Sequence, residues 1–272
     1  MPPPVRASGA RTLAAVALLG SALATFTAPT RCDAQAVQPH EALEDAKLYF
    51  TAPLRWDSRN WLEFGGTLVA LGVIHEFDDD VRDHFVDNPA GSLDSKDSKG
   101  AEDAVPAAVL LAGTWLLAGL SDSPGGWREL GSMFEAAALT GASTEVLKFS
   151  LGRQRPNETT DPDNWFASGD SFPSMHASLA FAIGTVFAES GNDRYRWLRR
   201  ILGYGVAGAT AYARLEHNAH WTTDVAAGAA LGLSTARFTM NRREGSAGPS
   251  ASVTVRPAEG GGVMLAFSVP LH

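Results

Sequence analysis

Ser174-Met-His-Ala-Ser-Leu-Ala-Phe-Ala-Ile-Gly-Thr-Val-Phe-Ala-Glu189 is an almost unbroken apolar run that opens on a serine and closes on an acid. Ser174 is a natural N-cap, because its side-chain oxygen accepts from the free N–H groups of a first helical turn, so the stretch reads as a helix to about Glu189. Similar runs rich in Ala, Gly and Leu lie on either side, at Leu62–His75, Ala104–Leu120, Leu130–Leu151, Ile201–Arg214 and Thr223–Phe238, with polar loops between them. Six such helices without a convincing strand between them imply an all-α fold, a six-helix bundle over residues 62–240.

The flanks read differently. Arg6 and Arg11 precede the apolar run Leu13–Phe26, and Ala34-Gln35-Ala36 supplies a small-x-small cleavage pattern, so 1–36 is expected to be a signal peptide and 37–61 a linker. Cys32, the one cysteine, falls inside that leader, which removes disulfide and thiol chemistry from the expected mature chain. After Arg243 the composition turns to Gly, Ser and Pro. The alternating Val253-Thr254-Val255 and Val263–Val269 around Glu259–Gly262 then read as a short C-terminal β-hairpin within a 241–272 tail.

A chain of 272 residues with 45% hydrophobic and 19% charged residues builds one large core. Its net charge of −8 disfavours nucleic acid and anionic surfaces as general partners, so any anion site must be a local basic pocket. Only Ala104–Ser121 approaches the about 18 uncharged apolar residues of a membrane span, and the mean hydropathy is −0.06. The expectation is a soluble or peripherally attached bundle, exported to the periplasm or envelope, with an integral membrane protein as the alternative. Asp78-Asp79-Asp80 and Asp94–Asp103 read as solvated loops; Lys96 and Lys99 spoil the second as a calcium loop.

Three blocks carry the chemistry. Lys148-Phe-Ser-Leu-Gly-Arg-Gln-Arg155-Pro156 closes a helix, and a seven-residue spacing places Lys148 and Arg155 on one helical face, with Pro156 as the stop. Ser171-Phe-Pro-Ser-Met-His176 opens the next helix, whose free N–H groups and dipole favour an anion beside His176. In Arg214-Leu-Glu-His-Asn-Ala-His220-Trp-Thr-Thr-Asp224, His220 and Asp224 are four apart, which stacks them if a helix begins by Trp221. Singly, the blocks read as dipole-complementing surface charges, a structural histidine and a capping pair. Jointly and in order, they arise by chance in roughly one chain in 10⁵.

In that order they resemble the signature of the type 2 phosphatidic acid phosphatase and vanadium haloperoxidase superfamily, Lys-x6-Arg-Pro, Pro-Ser-Gly-His and Ser-Arg-x5-His-x3-Asp. The run His220-Trp-Thr-Thr-Asp-Val-Ala-Ala-Gly-Ala-Ala-Leu-Gly232 extends the likeness, while Met175 stands where the pattern has glycine and Ala213 where it has serine. The resemblance implies an acid phosphatase/haloperoxidase-type bundle that hydrolyses phosphate monoesters or lipid (pyro)phosphates without metal or other cofactor. It implies that Lys148, Arg155 and Arg214 bind the phosphoryl oxygens, and that Ser174 and the N–H groups of Met175 and His176 complete the cradle. His220 is then the nucleophile, Asp224 its orienting carboxylate and His176 the acid. A vanadate-dependent haloperoxidase and a non-catalytic envelope protein are the alternatives. The implied partners are a phosphate ester and, peripherally, a membrane.

Overall fold

The computed structural model describes residues 39–87, 108–109, 112–113, 124–190, 195–246, 252–258 and 262–268. The expected signal peptide 1–36, the acidic stretch Asp94–Asp103 and most of the expected helix Ala104–Leu120 lie outside the described residues.

The described residues form seven α-helices: α1 Pro39–Phe50, α2 Ser58–His75, α3 Asp78–Asp87, α4 Pro124–Leu151, α5 Met175–Glu189, α6 Arg196–Glu216 and α7 Thr222–Ser246. Two strands, β1 Ser252–Ala258 and β2 Gly262–Ser268, pair antiparallel with Val255 opposite Leu265. No helix among the described residues is long and apolar enough to cross a membrane.

Two helices occupy segments read from the sequence as linker or loop. In α1, Glu41 in the first turn and Lys47 in the last complement the helix dipole. Its inward face then attaches to α7: Arg242 Nε donates to buried Asp45 at 2.8 Å, and the Tyr49 hydroxyl lies 2.8 Å from Thr235 Oγ1. The acidic triplet Asp78–Asp80 is no solvated loop but the first turn of α3, where carboxylates face the positive end of the dipole. Asp78 is fully buried.

α5 lies at the centre, packed by α4, α6 and α7. Nine of its residues are buried, on every side of the helix, which is why the sequence is apolar all round instead of striped. Met133 and Ala136 of α4, Ala207 of α6 and Ala236 of α7 meet Ala180, Ala182, Ile183 and Val186 of α5 in the core. Such small residues bring backbones together: a Cβ added to Gly232 of α7 would lie 2.3 Å from the carbonyl oxygen of Ser178 in α5. α6 is striped instead, burying Gly203, Ala207, Thr210 and Arg214 at helical spacing, so that the stripe carries Arg214 inward from the last turn. α2 buries no residue, although it carries Trp61, Leu62, Leu68, Val69 and Val73.

Candidate active site

The first block does not continue the helix to Pro156. α4 ends at Leu151, and Gly152 adopts φ +53°, the left-handed conformation of a helix C-terminus, with its N–H on the carbonyl of Lys148 at 2.9 Å. Lys148 therefore projects from the last helical turn, while Arg153 and Arg155 leave from the loop that follows. Phe166 and Ala167 donate N–H groups to the carbonyls of Leu151 and Gly152 at 2.8 and 3.0 Å, so loop 166–169 satisfies the end of α4 and carries the chain to the second block.

Hydrogen bonds knit the three blocks pairwise. Ser171 N–H donates to the carbonyl of Arg153 at 2.9 Å and Ser174 N–H to that of Asp224 at 3.0 Å. The indole N–H of Trp221 donates to the carbonyl of Gln154 at 2.9 Å. Ser174, fully buried, is the N-cap of α5 and accepts from Ala177 N–H at 3.5 Å. Met175 and His176, both half-buried, begin that helix, where N–H groups are free of intrahelical partners.

α7 begins at Thr222, so His220 sits just ahead of the helix and Asp224 in its first turn. The pair is looser than a helical stack: His220 Nδ1 is 3.6 Å from Asp224 Oδ2 and 3.5 Å from Ser171 Oγ, while Ser171 Oγ donates to Asp224 Oδ2 and bridges the two. Asp224 also accepts from the N–H of Trp221 at 2.9 Å, the carboxylate half of a capping box, so it caps α7 as well as facing His220.

Electrostatics follow from burial. His220 is 3% exposed, and burial together with the charges of Arg155, Lys148, Arg214 and His176 holds its imidazole well below the usual pKa, hence neutral at pH 7. Burial pushes Asp224 up, against which Arg153, Ser171 and the Trp221 N–H pull. Burial lowers Lys148 to about 8, although Asp170 opposes it. Asp170 receives Arg155 through two bonds, at 2.6 and 3.0 Å, and its main-chain carbonyl accepts from Lys148. Burial works against the Asp170 anion, but Arg155, Lys148 and His220 outweigh it and bring the carboxyl to about 2.

All the residues singled out in the three blocks thus lie around one point, where α4, α5, α6 and α7 end or begin. Four further residues join them that the motif pattern does not mark: Arg153, Asp170, Ser171 and Asp78. The first three sit within or beside the quoted blocks, and their polarity was visible. Asp78 gave no such signal, since it reaches the site only through tertiary contacts.

Residues 129–246 match the PAP2 superfamily and constitute a PAP2 superfamily domain. A lipid A 1-phosphatase of Porphyromonas gingivalis is 38% identical over 96 residues, a match covering 35% of this chain and 20% of that protein, so the chain spans about a fifth of its curated relative. A crystal structure of Aquifex aeolicus LpxE aligns with a TM-score of 0.40 at 21% identity, covering 52% of this chain and 82% of the other.

Proposed function

We propose that this PAP2 superfamily domain is a phosphatase that transfers the phosphoryl group of a phosphate ester to His220 and then to water. The observation that carries the reading is a buried, neutral imidazole surrounded by Lys148, Arg155 and Arg214 beside the N-terminus of α5. A neutral imidazole has a lone pair for attack, and three cations suit a dianion and the charge that gathers on its oxygens in the transition state.

In this reading the phosphoryl oxygens lie against Lys148, Arg155 and Arg214, with Ser174 and the first N–H groups of α5, those of Met175 and His176, completing the cradle. Nδ1 of His220 faces Asp224 and Ser171, which leaves Nε2 for attack. The N–P bond forms as the P–O bond to the leaving group breaks, and His176 gives that oxygen its proton. His176 then takes a proton from water as water attacks the phosphohistidine; the P–N bond breaks and inorganic phosphate leaves. Asp224 stabilises the imidazolium formed in between. The three side-chain cations supply the charge stabilisation that other phosphoryl-transfer enzymes draw from magnesium, so the reaction requires no metal or other cofactor.

A lipid phosphate is the substrate class we favour. Similarity to a lipid A 1-phosphatase supports it, and so do the exposed side chains of Phe149 and Phe166, which adjoin the basic block. The exposed apolar side chains of α2 fit peripheral contact with a lipid surface. Location in the periplasm or envelope belongs to the proposal and rests on the sequence pattern of a signal peptide over 1–36.

Turnover of p-nitrophenyl phosphate, phosphatidic acid and lipid A by the purified chain tests the proposal. His220→Ala should abolish turnover, EDTA should leave it intact, and an acid-labile phosphoenzyme should map to His220. Turnover at the wild-type rate in His220→Ala would overturn the nucleophile assignment.

A further inference from the structure

Arg153 is fully buried, and nothing in the phosphoryl chemistry above uses it. Its guanidinium is held on every side. Nη1 donates to Asp224 Oδ1 at 2.8 Å, Nη2 to Asp78 Oδ2 at 2.7 Å, and Nε and Nη2 to the carbonyl of Pro162 at 3.0 and 2.7 Å. The rings of Trp165 and Trp221 lie 4.5 and 5.2 Å from its central carbon. A buried arginine shared by two buried carboxylates is costly unless both remain in place, so its position is over-determined.

Asp78 completes the arrangement. Besides Arg153, its oxygens accept the N–H and hydroxyl of Thr223 at 2.8 and 2.9 Å, which fastens the first turn of α7. His75 Nδ1 lies 2.9 Å from Asp78 and its Nε2 2.8 Å from Asp163. Burial lowers the pKa of His75, but the bonds to Asp163 and Asp78 outweigh it and raise the group overall. One carboxylate therefore orients both Arg153 and the helix turn that bears Asp224.

We infer that Arg153 and Asp78 are positioning residues for the phosphoryl-transfer reaction: Arg153 keeps Asp224 ionised and aimed at His220, and Asp78 holds Arg153 and α7 in register. This rests on the function proposed above, in which Asp224 acts on His220. Neither residue touches the phosphoryl group in this arrangement. Their loss reaches kcat through the Asp224–His220 pair and leaves the KM for phosphate esters nearly unchanged.

The two charges act on Asp224 with opposite sign. Removing the cation in Arg153→Gln raises the Asp224 pKa and moves the acid limb of kcat/KM to higher pH. Removing the anion in Asp78→Asn leaves Arg153 to Asp224 alone and moves that limb to lower pH. The other charged groups around Asp224 and Arg153 are Lys148 of α4, Arg155 and Asp170 of the loops, His176 of α5, Arg214 of α6, His220 before α7 and His75 of α2; all are present in both variants, and only His75, bonded to Asp78, also loses proton affinity in Asp78→Asn, keeping its bond to Asp163.

The test uses the full chain, with circular dichroism as the folding control and Arg153→Lys as the conservative variant should Arg153→Gln not fold. Expected are a loss in kcat of about 10- to 100-fold in Arg153→Gln, the range for residues that orient a reacting group from behind, KM within about 3-fold of wild type, and limb shifts of opposite sign. Independently of turnover, the imidazole nitrogen NMR signals of His220, assigned by difference against His220→Gln, should show one tautomer in the wild type and a mixture in Arg153→Gln. Limb shifts of the same sign, or a His220 tautomer untouched by loss of Arg153, would overturn the inference. Absence of wild-type turnover with the tautomer change intact would instead overturn the proposed function and leave the positioning pair standing.

Discussion

Arg153 and Arg155 leave one loop two residues apart and meet opposite surroundings. Arg153 points into the wall behind the site, where its side chain and those of Asp78 and Asp224 are all fully buried. Arg155 points to the rim, where its partner Asp170 keeps 65% of its side chain exposed. The chemical pairing is the same, an arginine on a carboxylate. In the wall no water replaces a lost partner, so each group depends on the others for stability; at the rim water can take the place of a lost partner, so the forked pair adds less to stability, and the proposed function gives Arg155 to the incoming anion.

The largest effect expected from that contrast is on stability. Asp78→Ala strands the Arg153 charge in the wall and should cost about 3–5 kcal/mol in denaturant unfolding, whereas Arg155→Ala should cost under about 1 kcal/mol. Equal losses in the two variants would erase the distinction between wall and rim. Activity should rank the other way for folded protein at the rim: Arg155→Ala should lower kcat/KM by about 100-fold, the worth of one forked, charge-assisted phosphate contact.

A smaller effect is expected from pH. Lys148 at about 8 in the free enzyme is cationic below that value and neutral above it, so kcat/KM should fall as pH rises through about 8. Lys148→Arg, which does not titrate in this range, should remove that descending limb. The smallest effect concerns Asp170, whose charge, in the proposed cradle, competes with phosphate for Arg155. Asp170→Asn should tighten inhibition by inorganic phosphate a few-fold, read as a lower Ki, and weaker inhibition would mean that Asp170 serves mainly to aim Arg155.

The four helices around the site lie within several residues of where the sequence placed them, because their signals are local. Ser174 caps α5, and apolar residues at helical spacing mark α6. The helices it missed, α1 and α3, are short and polar, and their apolar faces are too narrow to register. The acidic triplet at Asp78 carried a legible clue, since carboxylates are favoured in a first helical turn. Motif spacing marks Arg155, but it shares no helical face with Lys148, because the helix ends before it and Gly152 turns left-handed.

By itself the sequence determined what local forces and motif order decide: a helical chain, three motif blocks, and the residues His220, His176, Asp224, Lys148, Arg155, Ser174, Met175 and Arg214 as candidates. Which arginine of the first block becomes wall and which becomes rim was settled only by tertiary structure. Asp78 and Asp224 approach Arg153 from 75 and 71 residues away. Burial raises the strength of their pairing by excluding water, and no property of a segment read alone records which distant carboxylates will be buried beside it.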